Sequence, residues 1–249
     1  MIDTHCHVFS EYYDDIDLLI KKIKEAGVTK IIVNGCDMKS NLEVLELVKK
    51  YDIVYGAIGF HPTELDDYND ECIKWLEAHM HDEKIVALGE IGLDYHYENT
   101  NKERQLKVFK RQLELASQYD KPVIVHTRDA IQDTYDILSK YHLCGSVHAF
   151  SGSLEMAKEF IKLGFYIGIG GVCTYKNAKN IVNVIENIPV EYILLETDSP
   201  YLAPVPYRGE KNTPANIPII VKKIGEIKKM DLKNVSIITA NNANSLFDF

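Results

Sequence analysis

The sequence lacks paired cysteines, a long apolar run and an excess of basic residues. Its five cysteines include no Cys-x-x-Cys pair: Cys6, Cys36, Cys72, Cys144 and Cys173. They therefore indicate neither a disulfide framework nor a zinc knuckle. The longest uncharged stretch, near Leu163–Tyr175, is too short to span a bilayer, and Met1 precedes the first predicted strand without a basic, apolar leader. We expect a cytoplasmic protein with no membrane association.

The excess of acidic residues bears on possible partners. The formal net charge is −9, which argues against a broadly basic nucleic-acid surface, because nonspecific affinity for DNA or RNA comes largely from Lys and Arg. Two divalent cations in a cleft would supply positive charge locally, where a reacting phosphate lies. The charge thus disfavours a nucleic-acid partner without excluding one. Nothing in the composition indicates an obligate protein partner.

Short β-branched runs alternate with amphipathic segments along the whole chain. In the segment Lys102–Tyr119, for example, apolar residues recur at spacings of three and four, which is typical of a helix. The eight predicted strands are Ile2–His5, Lys30–Asn34, Val54–Gly59, Ile85–Glu90, Val123–His126, Ser146–Ala149, Tyr166–Gly170 and Tyr192–Asp198. Eight strand and helix pairs in 249 residues predict a single-domain α/β protein, a TIM (β/α)8 barrel spanning 1–249.

A doubly wound open sheet is the structural alternative, because the same alternation of strands and helices would suit it. The glycines of Gly168–Gly171 do not have the spacing of a nucleotide-binding loop. After the eighth strand, the loop Ser199–Asn212 must lie on the active face of a barrel, where it can shape a substrate entrance. Thr213-Pro214 predicts the start of a helix that runs to about Lys229, and a final helix is expected near Val235–Phe247.

The first strand carries a His-x-His pair. Alternate residues of an extended strand share a face, so Asp3, His5 and His7 are expected to point into the barrel. Two imidazoles on one face can bind the same metal ion. Taken alone, the pair has an ordinary alternative as hydrogen-bonded histidines at a strand end.

Further candidate ligands end other predicted strands. Glu90 follows an apolar run, and a buried carboxylate needs a partner, either a metal pair or a salt bridge. His126 and His148 also stand at strand ends before helices, where each alone would more often be a core histidine. Because the carboxyl ends of barrel strands converge on one face, ligands that are far apart in sequence can meet there.

Glu196 and Asp198 follow the two-residue period of the eighth predicted strand, so both are expected on its inward face. Two inward carboxylates on one strand require cations or proton sharing. The coincidence of six strand-end ligands favours a metal centre over separate structural roles. The six are His5, His7, Glu90, His126, His148 and Asp198.

The motifs together resemble the TatD family of metal-dependent deoxyribonucleases, which has an amidohydrolase-like barrel. The resemblance covers nearly the whole chain, in order and with similar spacing. The matching blocks are Asp3–His7, Gly59–Pro62, Gly89–Tyr95, His126–Arg128, His148–Gly152 and Glu196–Pro200. The chain departs from the family pattern at Thr63 and Glu210, which bear on substrate preference more than on the metal centre.

The resemblance implies a binuclear centre and a reaction. His5, His7, Glu90 and Asp198 would surround one ion, and Glu90 would also bridge to a second ion held by His126 and His148. The expected cofactors are two divalent metal ions, Mg, Zn or Mn. Histidine-rich ligation favours zinc or manganese, whereas the family is commonly described as magnesium-dependent.

The expected activity is hydrolysis of phosphodiester bonds, as a deoxyribonuclease and 3'–5' exonuclease acting on DNA ends, with RNA ends also open. Paired metals activate water and offset the charge that develops on a phosphodiester. Asp198, Glu196 and His61 are the expected catalytic residues. Arg128 and Arg208 are expected to contact substrate, because a guanidinium can donate two parallel hydrogen bonds to phosphate.

Two other functions are open at this point. The first is hydrolysis of an amide, lactone or aminoacyl ester by a barrel of the same class. Related cyclic amidases bridge their metals with a modified lysine, and Glu90 stands at the corresponding strand end, which favours phosphodiesters. The second is a noncatalytic metal-binding interaction protein, which the complete ligand set makes the least favoured.

Overall fold

The computed structural model describes all residues 1–249, and its central element is an eight-stranded parallel sheet. The strands occur in the same order in the sheet as in the chain. They are β1 (Ile2–Cys6), β2 (Lys30–Asn34), β3 (Val54–Ile58), β4 (Ile85–Asp94), β5 (Val123–Arg128), β6 (Gly145–Val147), β7 (Phe165–Ile169) and β8 (Ile193–Leu195).

Helices connect consecutive strands and surround the sheet. They are α1 (Ile16–Glu25), α2 (Met38–Lys50), α3 (Asp70–His79), α4 (Lys102–Gln118), α5 (Ile131–Leu138), α6 (Leu154–Lys162), α7 (Lys179–Asn187), α8 (Ile217–Lys228) and α9 (Leu232–Leu246). Short 3-10 turns lie at Gly171–Thr174, Val190–Tyr192 and Pro214–Asn216. No helix is both long enough and apolar enough to cross a membrane.

The sheet closes where β1 meets the segment that follows β8, a junction we call the seam. Parallel ladders join each neighbouring pair from β1 to β8, with register shifts in β1–β2, β3–β4 and β4–β5. The seam has an isolated parallel bridge between Cys6 and Ser199. A further hydrogen bond joins the two sides of the seam: the backbone N–H of Thr197 donates to Asp3 Oδ1 at 3.0 Å. The predicted TIM barrel is confirmed.

Apolar side chains fill the barrel in two layers. The larger layer lies between the strands and the surrounding helices. The smaller lies inside the barrel and includes Ile32, Val86 and Leu194, with Leu246 and Phe247 from the end of α9 packed against them. Helix α9 therefore closes one end of the barrel and leaves polar strand-end residues to occupy the other.

Two predicted strand ends were wrong by three residues or more, and several others by one or two. β4 continues four residues past Glu90, because Ile91–Asp94 stay paired with β5. β8 ends at Leu195, before Glu196 and Asp198, and Asp198 has a left-handed backbone with φ of 53°. The direction of the Asp198 side chain is thus set by a turn rather than by the alternation of a strand.

The C-terminal helices also differ in detail from expectation. Thr213 caps as predicted, accepting a hydrogen bond from the N–H of Ala215. The chain first forms the 3-10 turn Pro214–Asn216, so the α-helix begins only at Ile217. The last helix begins three residues earlier than predicted because Asp231 caps it, accepting from the N–H of Lys233.

Candidate metal centre

Glu90 lies at the centre of the open end of the barrel, on β4, and is buried. Its two carboxylate oxygens face different histidines. Oε2 is 3.3 Å from His5 Nε2 and 3.6 Å from His7 Nε2. Oε1 is 2.9 Å from His126 Nδ1 and 2.8 Å from His148 Nε2. One carboxylate thus contacts four imidazoles, two through each oxygen, and the rings of His5 and His148 stack with centroids 3.8 Å apart.

Asp198 and His61 complete this cluster from opposite sides. Asp198 Oδ1 is 3.6 Å from His5 Nε2 and 3.5 Å from His7 Nε2, so it lies on the side of Glu90 Oε2. His61 Nε2 is 3.5 Å from Glu90 Oε1, and its Nδ1 is 2.8 Å from the hydroxyl of Thr63. All six predicted ligands and His61 therefore lie within one cluster.

The β4–β5 pair sets the positions of Glu90 and His126. Gly92 pairs with His126, and a Cβ at residue 92 would lie 1.9 Å from the carbonyl oxygen of His126. Only glycine permits this approach, at a φ of 149°. Two residues further on, Asp94 Oδ2 lies 3.1 Å from His126 Nε2, so the outer nitrogen of this imidazole is also held.

Buried amide side chains fix the backbone at these strand ends. Gln105 on α4 accepts from the N–H of Asp94 at 2.8 Å and donates to its carbonyl at 2.9 Å. Gln112 on α4 makes the same pair of bonds with Phe60, next to His61, at 2.8 and 3.0 Å. Such paired bonds satisfy backbone groups that no neighbouring strand reaches. Helix α4 thereby holds the segments that carry Asp94 and His61.

Two residues near the centre were missed as site residues by the sequence reasoning. Asp94 follows Glu90 and Gly92 at spacings of two residues, and this alternation predicts that its side chain shares a face of the strand with that of Glu90. Cys36 Sγ lies 3.7 Å from Glu90 Oε2 and 3.9 Å from His7 Nδ1. Its position follows a predicted strand end, as do the other residues of the centre, but no pattern distinguished it.

The carboxylates and imidazoles strongly perturb one another. Burial opposes ionisation of Glu90, yet the surrounding histidines lower its pKa well below the ordinary value. Burial also opposes protonation of His148, but the nearby Glu90 raises its pKa to about 9. Burial lowers the pKa of His5 to about 4. The buried carboxylates therefore require positive charge beside them.

Glu196 occupies a more enclosed position behind His148. Its Oε1 accepts a hydrogen bond of 2.5 Å from the N–H of Ala149 and lies 4.0 Å from His148 Nδ1. Burial raises the pKa of Glu196 to about 8. The Oε2 atom and His148 Nδ1 are both buried without a hydrogen-bond partner. Glu196 thus contacts the segment that positions His148 and also borders a cavity at this end of the barrel.

The donor set fits divalent metal ions. His5 Nε2 and His7 Nε2 are 3.2 Å apart, as are His126 Nδ1 and His148 Nε2. Two nitrogens bound to one tetrahedral zinc at about 2.0–2.1 Å would be separated by about 3.3 Å. Three groups have ligand atoms that all lie within 4.8 Å of one another: His5, His7 and Glu90; His5, His148 and Asp198; and His61, Glu90 and His126. Cations here would supply the positive charge that Glu90 and Asp198 require.

Two cavities meet at this centre. The first cavity, of about 650 Å³, extends toward α2 and contains Tyr12, Lys39 and Glu43. The second cavity, of about 520 Å³, extends toward α7 and contains Phe150 and Asn180. Five residues line both cavities: His126, Arg128, His148, Asp198 and Tyr201.

The two predicted substrate-binding arginines have different positions. Arg128 is exposed and lines both cavities, with its guanidinium 5.7 Å from the ring centroid of Tyr97. The acids that might have paired with it have other partners, because Asp129 contacts His96 and Asp133 accepts from Tyr95. Arg208 instead stacks 4.3 Å from the ring centroid of Tyr175, outside both cavities.

A parallel barrel with a carboxylate shared between histidine pairs at its open end defines the class of metal-dependent hydrolases. Within that class, the family described as TatD related DNase matches residues 2–248, so the chain belongs to the TatD family. The chain is 39% identical to the uncharacterized metal-dependent hydrolase YabD of Bacillus subtilis, over 99% of this chain and 98% of that protein.

A solved structure extends the likeness to three dimensions. The crystal structure of YjjV, a TatD homologue from Escherichia coli K12, has a TM-score of 0.95 and 34% identity, covering 100% of this chain and 98% of that one. An organophosphorus hydrolase variant from Deinococcus radiodurans has a TM-score of 0.65 at 13% identity, which shows a common fold alone. The resemblance to the TatD family is thus confirmed.

Proposed function

We propose that this hydrolase cleaves phosphodiester bonds, as a deoxyribonuclease that shortens DNA ends in the 3'–5' direction through two divalent ions. The observation that carries the proposal is the position of Glu90 between two pairs of imidazoles, with a different oxygen toward each pair. A carboxylate shared in this way suits two ions a few ångström apart. Paired ions are typical of enzymes that displace oxygen at phosphorus.

The residues of the cluster would hold the two ions and accept a proton from water. His5, His7 and Asp198 would hold one ion, His126 and His148 the other, and Glu90 both. The ions would lower the pKa of bound water and offset charge on the attacking and leaving oxygens. Asp198 would also accept the proton of the attacking water, because it borders both cavities.

Other residues would bind or position the substrate and the ligands. Arg128, which has no acidic partner, would donate to the scissile phosphate where the cavities meet. His61 Nε2 would contact a phosphate oxygen beside Glu90. Glu196 would hold the segment carrying His148 through the N–H of Ala149. Arg208 would reach substrate only beyond the cavities, because it stacks on Tyr175.

A second candidate is hydrolysis of an amide, a lactone or an aminoacyl ester. One observation favours it: the first cavity has several carboxylates outside the metal cluster, among them Glu11, Glu43 and Glu64. Carboxylates would attract the ammonium group of an aminoacyl ester. A panel of single-stranded DNA, single-stranded RNA, aminoacyl-tRNA and lactones, assayed with one metal-loaded preparation, separates the two candidates.

The decisive experiment begins with protein stripped of metal. Magnesium, manganese or zinc is added back separately, and shortening of end-labelled single-stranded DNA is followed for the wild type and Glu90→Ala. We expect at least one metal to restore shortening in the wild type alone, with the label position giving the direction. Metal binding without shortening of DNA would contradict the nuclease proposal and favour the second candidate. Circular dichroism of Glu90→Ala checks that the barrel has folded.

A further inference from the structure

The two cavities give the two arms of a phosphodiester different surroundings. Such a substrate has its reacting phosphorus between two organic groups, so a centre that holds the phosphorus must accommodate one group on each side. Arg128 and Tyr201 line both cavities and mark the boundary between them. The side chains beyond that boundary therefore decide which arm each cavity accepts.

Aromatic surface in the first cavity suits a nucleobase. Tyr12, Tyr97 and Tyr201 line it, and the side chains of Tyr97 and Tyr201 are 57% and 50% exposed. The hydroxyls of Tyr12 and Tyr201 are 3.0 Å apart, and the ring of Tyr201 lies 6.2 Å from that of His7. Bases stack on such rings irrespective of sequence. A single base attached to the scissile phosphate thus has a surface to stack on.

The charges around the same cavity disfavour any further phosphate. Glu11, Asp37, Glu43 and Glu64 line it in addition to the carboxylates of the metal cluster. Its cations are Lys39 and Arg128, and Lys39 pairs with Glu11 at 2.6 Å. Only Arg128, beside the centre, is left to bind phosphate. A second phosphate deeper in this cavity would meet carboxylates rather than cations.

The second cavity lacks this barrier. Its only carboxylates, Glu196 and Asp198, belong to the centre, and its rim carries the amides of Asn177 and Asn180. The side-chain nitrogen of Asn180 donates to the carbonyls of Ser151 and Gly152, which leaves its oxygen free to accept. A phosphate-bearing strand can leave by this route without passing a row of acids.

From this contrast we infer that the first cavity binds the terminal nucleoside of a strand and that its acidic rim rejects an end carrying a phosphate. The inference rests on the proposed nuclease function and adds end-group selectivity to it. Repulsion of an unwanted ligand by like charge is a common source of specificity. With the proposed 3'–5' direction, the enzyme would act on a strand that ends in a 3' hydroxyl and not on one that ends in a 3' phosphate.

The test uses one single-stranded oligonucleotide in three forms: hydroxyls at both ends, a phosphate at the 5' end, or a phosphate at the 3' end. Because the proposed direction is 3'–5', we expect the 3' phosphate to lower kcat/KM for release of the first nucleotide by about tenfold or more, as like charges a few ångström apart would. The 5' phosphate should have little effect. The double variant Glu43→Gln with Glu64→Gln should relieve the block.

The two substitutions retain the local hydrogen bonds, because an amide oxygen can accept from Ser10 N–H and from the Thr63 hydroxyl, as Glu43 and Glu64 do. The matched control is Glu46→Gln, one turn further along α2 and outside the first cavity, which should discriminate like the wild type. Equal rates on all three oligonucleotides would overturn the inference while leaving the nuclease intact. So would a block that the double variant does not relieve.

If no oligonucleotide is shortened, the proposed nuclease function is contradicted. The inferred rejection of a second phosphate is then tested by ligand binding instead. Affinities of metal-loaded wild type and double variant for thymidine and thymidine 3',5'-bisphosphate are then compared by calorimetry. The inference requires the double variant to gain about tenfold in affinity for the bisphosphate and little for thymidine. Equal changes for both ligands would contradict it.

Discussion

At the scale of single residues, the contact between Asp94 and His126 sets the direction of an imidazole. Asp94 Oδ2 lies 3.1 Å from His126 Nε2, while His126 Nδ1 faces Glu90 at 2.9 Å. A carboxylate behind a ligating histidine fixes the ring and raises its basicity. Asp94 is therefore a positioning residue, and its effect should appear in metal affinity.

We predict that Asp94→Ala lowers metal affinity by about 10- to 100-fold, measured by titrating metal-free protein. Asp94→Asn should recover part of this loss, because an amide oxygen can still accept from His126. The control is Asp129→Ala, which removes an exposed contact to His96 on the neighbouring loop. Unchanged affinity in Asp94→Ala would show that His126 is oriented without this carboxylate.

The clustering of the candidate ligand residues could be predicted from the sequence for a definite physical reason. In a parallel barrel the carboxyl ends of all strands converge on one face, so polar residues at these ends lie close together. His5, Glu90 and His126 could therefore be placed in one cluster from the sequence alone. The direction of Asp198 could not, because it depends on a left-handed turn after a short strand. The cavity walls also depend on loops with no repeating pattern.

At the scale of elements, the loop between β8 and α8 is fixed by one buried side chain, that of Asn212. Its amide nitrogen donates to the carbonyls of Thr197 and Tyr201, each at 2.8 Å. Its oxygen accepts from Thr213 N–H and from the Asn216 amide, at 2.8 and 2.9 Å. The loop predicted to shape the entrance is thus tied to the backbone on either side of Asp198.

We expect Asn212→Ala to lower the free energy of unfolding by about 3 kcal/mol, since it leaves buried partners unsatisfied at about 1–3 kcal/mol each. For a chain of this size the midpoint of thermal unfolding should fall by about 6–12 °C. Asn187→Ala is the matched control, as that exposed amide bonds only to Asn183 in its own helix. A fall of similar size in both variants would contradict the role given to Asn212.

At the scale of the whole molecule, metal binding should stabilise the fold, because the ligands come from β1, β4, β5 and the segments after β6 and β8. The unfolded chain does not hold these donors together. A metal at about 100 times its dissociation constant would add about 2.7 kcal/mol per site. The midpoint of thermal unfolding should then fall by roughly 5–10 °C for each site that a chelator empties.

Calorimetry with and without a chelator measures this shift, and Glu90→Ala should abolish most of it. A midpoint that is the same with and without chelator in the wild type would show that the cluster binds no metal in solution. A shift that persists unchanged in Glu90→Ala would place the stabilising metal elsewhere.

The position of the seam determines when the centre can be completed during synthesis of the chain. His5 and His7 leave the ribosome well before Asp198 and Ser199, which lie much later in the chain and meet the β1 segment at the seam. During translation the early histidines have no partner strand on that side. Complete assembly of the centre must await synthesis of the segment after β8, so a shorter growing polypeptide cannot begin hydrolysis with the full set of ligands.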